Sequence, residues 1–169
     1  DPLAALVAQD RDFSEDQKQI VFEQALRVIS QVVEIHRELQ DKGQIEVTTT
    51  PYAHPILPLL YNTDLVEEND PTAEVPPRFS YPNDAIAHLQ KSVEQYTESF
   101  GRQPRGLWPA EGSVAQEVVR IIANAGFTWM ASGEQVLARS LGIDGFTRDA
   151  QDTVREADDL YRPYYVTDK

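Results

Sequence analysis

What most constrains this chain is an alternation. Runs with apolar residues at helical spacing take turns with short runs rich in β-branched and aromatic residues, from residue 14 to residue 141. That pattern belongs to parallel strands joined by helical crossovers, because a parallel pair cannot be closed by a tight hairpin. Residues 1–13 are weakly patterned and read as the tail of a helix or a loop. Ser14 stands three residues before Gln17, the spacing of a capping box. Behind it Ile20, Phe22, Leu26, Ile29, Val33 and Leu39 recur at helical spacing up to Gly43. His36 falls on that stripe and reads as a packing histidine. Residues 44–50 are β-branched and short, a strand ended by Pro51. Asn83 or Asp84 opens a second helix, striped by Ile86, Leu89, Val93, Tyr96 and Phe100 and stopped by Gly101. His88 lies off this stripe and reads as solvated.

Leu107-Trp108 makes the next strand, ended by Pro109, and Val118, Val119, Ile122 and Ala125 mark a helix that stops at Gly126. Residues 127–131 read as a buried strand, followed by a short helix through Leu141. Ser113 and Ser132 stand three residues before Gln116 and Gln135 and read as two more capping boxes. Residues 160–166 read as a last strand, confined to an edge by Pro163. The expected fold is α/β with parallel strands, placing Thr50, Trp108 and Ser132 at one edge of the sheet. A closed eight-stranded barrel takes about 250 residues. The 169 residues here, taken as one α/β segment (1–169), fit a barrel fragment or a small open sheet.

Two connections stand apart. Residues 50–60 hold three prolines yet are strongly apolar, which reads as a loop folded back over the sheet end. Within it His54, held between Ala53 and Pro55, is placed to hydrogen-bond a ligand. Residues 61–82 are polar and aperiodic, a long loop of the kind that lines clefts on α/β scaffolds.

Composition narrows the partners. The net charge of -13 repels phosphate backbones and anionic membranes, so nucleic acid and membrane are not expected, whereas a neutral sugar is not penalised. The chain has no cysteine, hence no disulfide framework and no thiolate site. No apolar run is long enough to span a bilayer and no signal peptide is evident, which fits a cytoplasmic protein. The start at Asp1-Pro2 reads as an excised segment.

The chemistry centres on Glu111, in the turn between the Leu107-Trp108 strand and the next helix. Carboxyl-end turns of parallel sheets collect catalytic residues, because the scaffold fixes them and the loop exposes them. Retaining glycoside hydrolysis needs two carboxyl groups about 5–5.5 Å apart. Glu111 suits the nucleophile, and Trp108 either stacks on a sugar face or fills the core. No second carboxylate is identifiable. Glu134 sits in a first helical turn, where the dipole alone favours an acid, and Asp144, Asp149 and Asp152 have no distinguishing spacing. No phosphate-binding glycine loop is present, and no second histidine stands at ligand spacing from His54, so neither a cofactor nor a metal site is expected.

The segments Thr48-Thr49-Thr50-Pro51-Tyr52-Ala53-His54-Pro55-Ile56-Leu57-Pro58-Leu59-Leu60 and Gly106-Leu107-Trp108-Pro109-Ala110-Glu111-Gly112-Ser113-Val114 resemble two motifs of glycoside hydrolase family 57. The likeness covers roughly residues 15–166. The family includes α-amylases, amylopullulanases, 4-α-glucanotransferases and α-glucan branching enzymes. The resemblance implies a seven-stranded (β/α) barrel, of which this chain is the central segment. It also implies an α-glucan or maltooligosaccharide substrate, Glu111 as the retaining nucleophile, and His54 lining the subsite around the scissile bond. Tyr52 and Trp108 are taken with His54 as substrate-binding. The family's N-terminal histidine-bearing motif has no counterpart here. Tyr161-Arg162-Pro163-Tyr164 resembles the segment just upstream of the motif with the acid/base aspartate, and Asp168 does not match that aspartate's surroundings. The segment by itself is then expected to be inactive and to self-associate through its cut sheet. Two alternatives stand beside this reading: a non-catalytic carbohydrate-binding or regulatory domain, and a polysaccharide deacetylase-like barrel, which requires metal-binding histidines.

Overall fold

A computed structural model describes residues 2–167; Asp168 lies outside the described residues. The chain divides into two compact units, Asp1–Val47 and Thr48–Lys169. The first is helical: α1 (Ala4–Gln9) and α2 (Glu15–Asp41). The Ser14–Gln17 capping box forms with both of its hydrogen bonds, so one orphan donor at each end of the motif is satisfied. His36 does not pack. It is exposed, and its Nδ1–H donates to the Val32 carbonyl one turn back at 2.7 Å.

The second unit carries the site. Its elements are α3 (Leu57–Tyr61), α4 (Val66–Asn69), α5 (Pro82–Phe100), β1 (Gly106–Leu107), α6 (Gln116–Asn124), β2 (Trp129–Met130), α7 (Glu134–Leu141) and α8 (Ala157–Leu160). β1 and β2 pair in parallel with α6 as the crossover, Gly106 opposite Trp129 and Leu107 opposite Met130. Thr49 joins the other side of Leu107 by one parallel bridge. Thr49, Leu107 and Met130 therefore lie side by side, and Thr50, Trp108 and the residues after Met130 leave from the same edge.

The unit is mostly helical around this small sheet, and the strands are shorter than the sequence predicts. Residues 44–48 form no ladder, and the last run, 160–166, is the end of α8 followed by irregular chain. A strand is held by its neighbours. Among the described residues Thr49 has a strand partner on one side only, and Pro51 lacks the N–H to extend the pairing.

The core is Leu57, Ala85, Leu89, Leu107, Val118, Ile122 and Phe127, drawn from α3, α5, β1, α6 and the chain entering β2. The proline-rich segment contributes through α3, where Pro58 occupies the first turn, the one part of a helix whose N–H groups have no partner to lose. Leu57 is thereby driven fully into the core. α5 ends as expected at Gly101, which takes the left-handed conformation, and α7 ends likewise at Gly142. The long loop contains α4 and is tied at its base by Thr63 N to Phe79 O at 2.9 Å and Tyr81 N to Leu60 O at 2.9 Å.

Two expected caps are absent. α6 is entered from Ala115 and α7 from Gly133, neither with a side-chain cap. Ser132 Oγ is used elsewhere, donating to the Gly112 carbonyl at 2.7 Å, and Ser113 is extended as it closes a 3-10 turn. Among the described residues no helix is long and apolar enough to cross a membrane.

Candidate active site

The site is assembled by register. Trp108 N donates to the Thr49 carbonyl at 2.8 Å and Thr49 N to the Gly106 carbonyl at 3.3 Å. These bonds fix how far the chain after Thr49 stands from the chain after Leu107. After β1, buried Pro109 leads into the 3-10 turn Ala110–Gly112, and Glu111 sits in it with φ 57 and ψ 18, the left-handed region. Gly112 follows at φ 65, a conformation that suits it because it has no Cβ. The turn is held by Gly112 N to Pro109 O at 2.9 Å and by the Ser132 hydroxyl on the Gly112 carbonyl.

Across from it, the chain after Pro51 turns through Ala53 (φ 58) and His54 (φ 57), with His54 N bonded to the Pro51 carbonyl at 2.9 Å. Of the six non-glycine residues with positive φ among the described residues, three are Ala53, His54 and Glu111. Each such conformation costs on the order of 1–3 kcal/mol and persists only where the surroundings impose it. The strain gathers where the two turns meet.

There His54 Nε2 lies 3.2 Å from Glu111 Oε1, and His54 Nδ1 lies 3.1 Å from Thr50 Oγ1. The side chains remain open, 49% exposed for His54 and 69% for Glu111. A contact so exposed adds little to stability; its effect is to orient the carboxylate. Both residues line an open cleft of about 600 Å3, together with Trp108, Gly112, Glu134 and Gln135. Trp108 is 51% exposed, so it presents its ring to the cleft and does not fill the core.

Tyr52 is placed differently from the other three predicted residues. It is absent from the cleft lining and anchors the His54 loop to α5. Its N–H donates to the His88 carbonyl at 3.2 Å, and the His88 Nδ1–H donates to the Tyr52 carbonyl. Its ring stacks on His88 with centroids 6.3 Å apart and lies under Lys91 Nζ at 4.2 Å. His88, expected to be solvated, is half-buried in this contact.

Glu134 is the second carboxylate of the cleft. Arg148 grips it with two bonds, Nη1 to Oε1 at 3.0 Å and Nη2 to Oε2 at 2.7 Å. That hydrogen-bonded fork holds the Glu134 carboxyl below its ordinary value, and a carboxyl kept ionised is unsuited to donate a proton. Asp149 is occupied with its own loop, accepting from Gln151 N at 2.9 Å and Thr153 N at 3.0 Å. Among the described residues no group of three His, Cys, Asp or Glu side chains is placed to hold a metal ion. Sequence reasoning missed Arg148 and Thr50. The first pairs across a distance that carries no local signal, while the second stands four residues before His54, a spacing visible in the sequence.

Fold and site together define an α/β chain whose chemistry-bearing side chains collect beyond the carboxyl ends of parallel strands. The chain belongs to glycosyl hydrolase family 57, whose sequence profile matches residues 13–169. In fold it is similar to the crystal structure of the novel alpha-amylase AmyC from Thermotoga maritima, with a TM-score of 0.52 and 16% sequence identity over 82% of this chain. The likeness spans 24% of the AmyC chain, so this chain corresponds to about a quarter of that protein. Among curated protein sequences none matches.

Proposed function

We propose that this chain is the central segment of a larger seven-stranded (β/α) catalytic barrel, and that Glu111 is the nucleophile of a retaining glycoside hydrolase or transglycosylase acting on α-glucans. The observation that carries the reading is the meeting of His54 and Glu111, 57 residues apart in sequence and 3.2 Å apart in space, on two left-handed turns at one sheet edge. Family membership and the amylase-like fold support a carbohydrate substrate.

In this reading His54 holds Oε1 of Glu111, which leaves Oε2 to attack the anomeric carbon. The bond to the leaving oxygen breaks as the glycosyl–carboxylate bond forms, and a water or an acceptor sugar hydroxyl later displaces the carboxylate. Trp108 stacks on the apolar face of the bound sugar. The acid/base carboxyl is supplied by another part of the barrel, since Glu134 is held ionised by Arg148 and Asp149 is engaged in its loop.

The segment alone therefore does not turn over α-glucans. Assays of the 169-residue chain on soluble starch and maltooligosaccharides check this. Turnover that disappears with Glu111→Gln shows that the second carboxyl lies within this chain.

A further inference from the structure

We propose that Thr50 is a positioning residue that supports the His54 tautomer set by Glu111, its hydroxyl donating to Nδ1 while Nε2 carries the proton donated to Glu111; its catalytic consequence rests on Glu111 being the nucleophile. For the neutral ring the geometry leaves one consistent assignment. An ionised carboxylate only accepts, so a proton must sit on Nε2 for the 3.2 Å contact to be a hydrogen bond. In the neutral ring Nδ1 is then an acceptor, and the group facing it at 3.1 Å is the Thr50 hydroxyl, which has a proton to give. The opposite tautomer would set the bare Nε2 lone pair against the carboxylate.

The other two histidines of the chain serve as internal references. His36 Nδ1 faces the Val32 carbonyl and His88 Nδ1 faces the Tyr52 carbonyl. A carbonyl accepts only, so both of these rings carry the proton on Nδ1. His54 is the odd one because its Nδ1 partner is a hydroxyl. Thr50 is also well placed to be rigid. It follows Thr49, which is bonded on both sides of its peptide to β1, and its branched Cβ restricts χ1.

The experiment is nitrogen-15 NMR of histidine-labelled protein at a pH where the rings are neutral, on the wild type and on Thr50→Val and Thr50→Ser. In the wild type, His54 is expected to show a protonated Nε2 and an acceptor Nδ1, with His36 and His88 showing the reverse. Thr50→Val is expected to bring the two His54 nitrogen shifts toward each other as tautomers mix, and Thr50→Ser to restore the wild-type pattern. In the complete enzyme Thr50→Val is expected to lower kcat with little change in KM, because Thr50 is not part of the cleft lining.

A wild-type His54 protonated on Nδ1 overturns the proposal without need of any variant, and so does a His54 pattern unmoved by Thr50→Val. These readouts need no turnover. Retained activity in Glu111→Gln would overturn the nucleophile reading while leaving the tautomer assignment intact.

Discussion

At Gly106 the sheet tolerates nothing larger than hydrogen. A Cβ built there would stand 2.3 Å from Trp129 Cζ2 and 2.4 Å from Cε2, because the indole of the neighbouring strand lies across the glycine. Gly106→Ala must displace that ring, and overpacking of this kind costs about 1–3 kcal/mol. The expected outcome is a lower denaturation midpoint and, in a Trp108→Phe background, a red-shifted Trp129 emission. An unchanged midpoint and spectrum would mean that the indole is not seated on Gly106. Residue by residue, the positions of the candidate site residues at strand-end turns were legible. Glu111 was readable from its place after a strand ended by proline, and His54 from its two restricted neighbours. Trp108 was left open between core and cleft, since sequence carries no burial for a large aromatic at a strand end. Tyr52 was read as substrate-binding, and its ring stacks on His88, a contact between segments 36 residues apart.

Among the elements, the stop signals were the most legible. Gly101 and Gly142 end their helices because the left-handed cap conformation is inexpensive only without a Cβ. The start signals were less so: of three serines at capping spacing only Ser14 caps, since Ser132 Oγ is turned to the Gly112 carbonyl and Ser113 closes the 3-10 turn. Leu89 on α5 is fully buried against Leu57 and Leu107 in the core, so Leu89→Ala is expected to cost about 2–5 kcal/mol, read from a chemical denaturation curve. Loss below 1 kcal/mol (about half the lower bound for such truncations) would show a core able to collapse around the gap.

The loop after α7 is held differently. Arg148 grips Glu134, and Glu156 accepts from the Thr147 hydroxyl at 2.7 Å and the Thr147 N–H at 2.8 Å. Hydrogen bonding from these partners holds both carboxyls below their ordinary 4.5. Since the folded values are depressed, the clasp contributes fully above 4.5 and is lost as pH falls through the lowered values. Amide exchange at residues 147–156 should accelerate over that acid range while the core amides of α5 stay protected. Equal protection of the loop across the range would contradict the clasp.

For the whole molecule the alternation predicted parallel pairing, and every pairing among Thr49, β1 and β2 is parallel. Strand length was not legible, because a strand's extent depends on neighbours that local pattern does not contain. In the first unit Phe22, Leu26 and Ile29 of α2 are 58%, 66% and 65% exposed. Covering such a stripe at about 25 cal/mol per Å2 favours association, opposed by a net charge of -13 that is screened beyond about 8 Å at physiological salt. Light scattering of the chain is expected to show self-association that grows with salt; a stable 19.1 kDa monomer at high protein and salt concentration would contradict it.

As the proposed nucleophile, Glu111 forms the covalent bond to the sugar. The direct measurement is to treat the complete catalytic protein with a 5-fluoro α-glucosyl fluoride, which slows release of the glycosyl-enzyme, and to map the labelled peptide by mass spectrometry. One glycosyl group is expected, on the carboxylate of Glu111, and no label in Glu111→Gln. A glycosyl group on any other residue of an active protein would contradict that assignment.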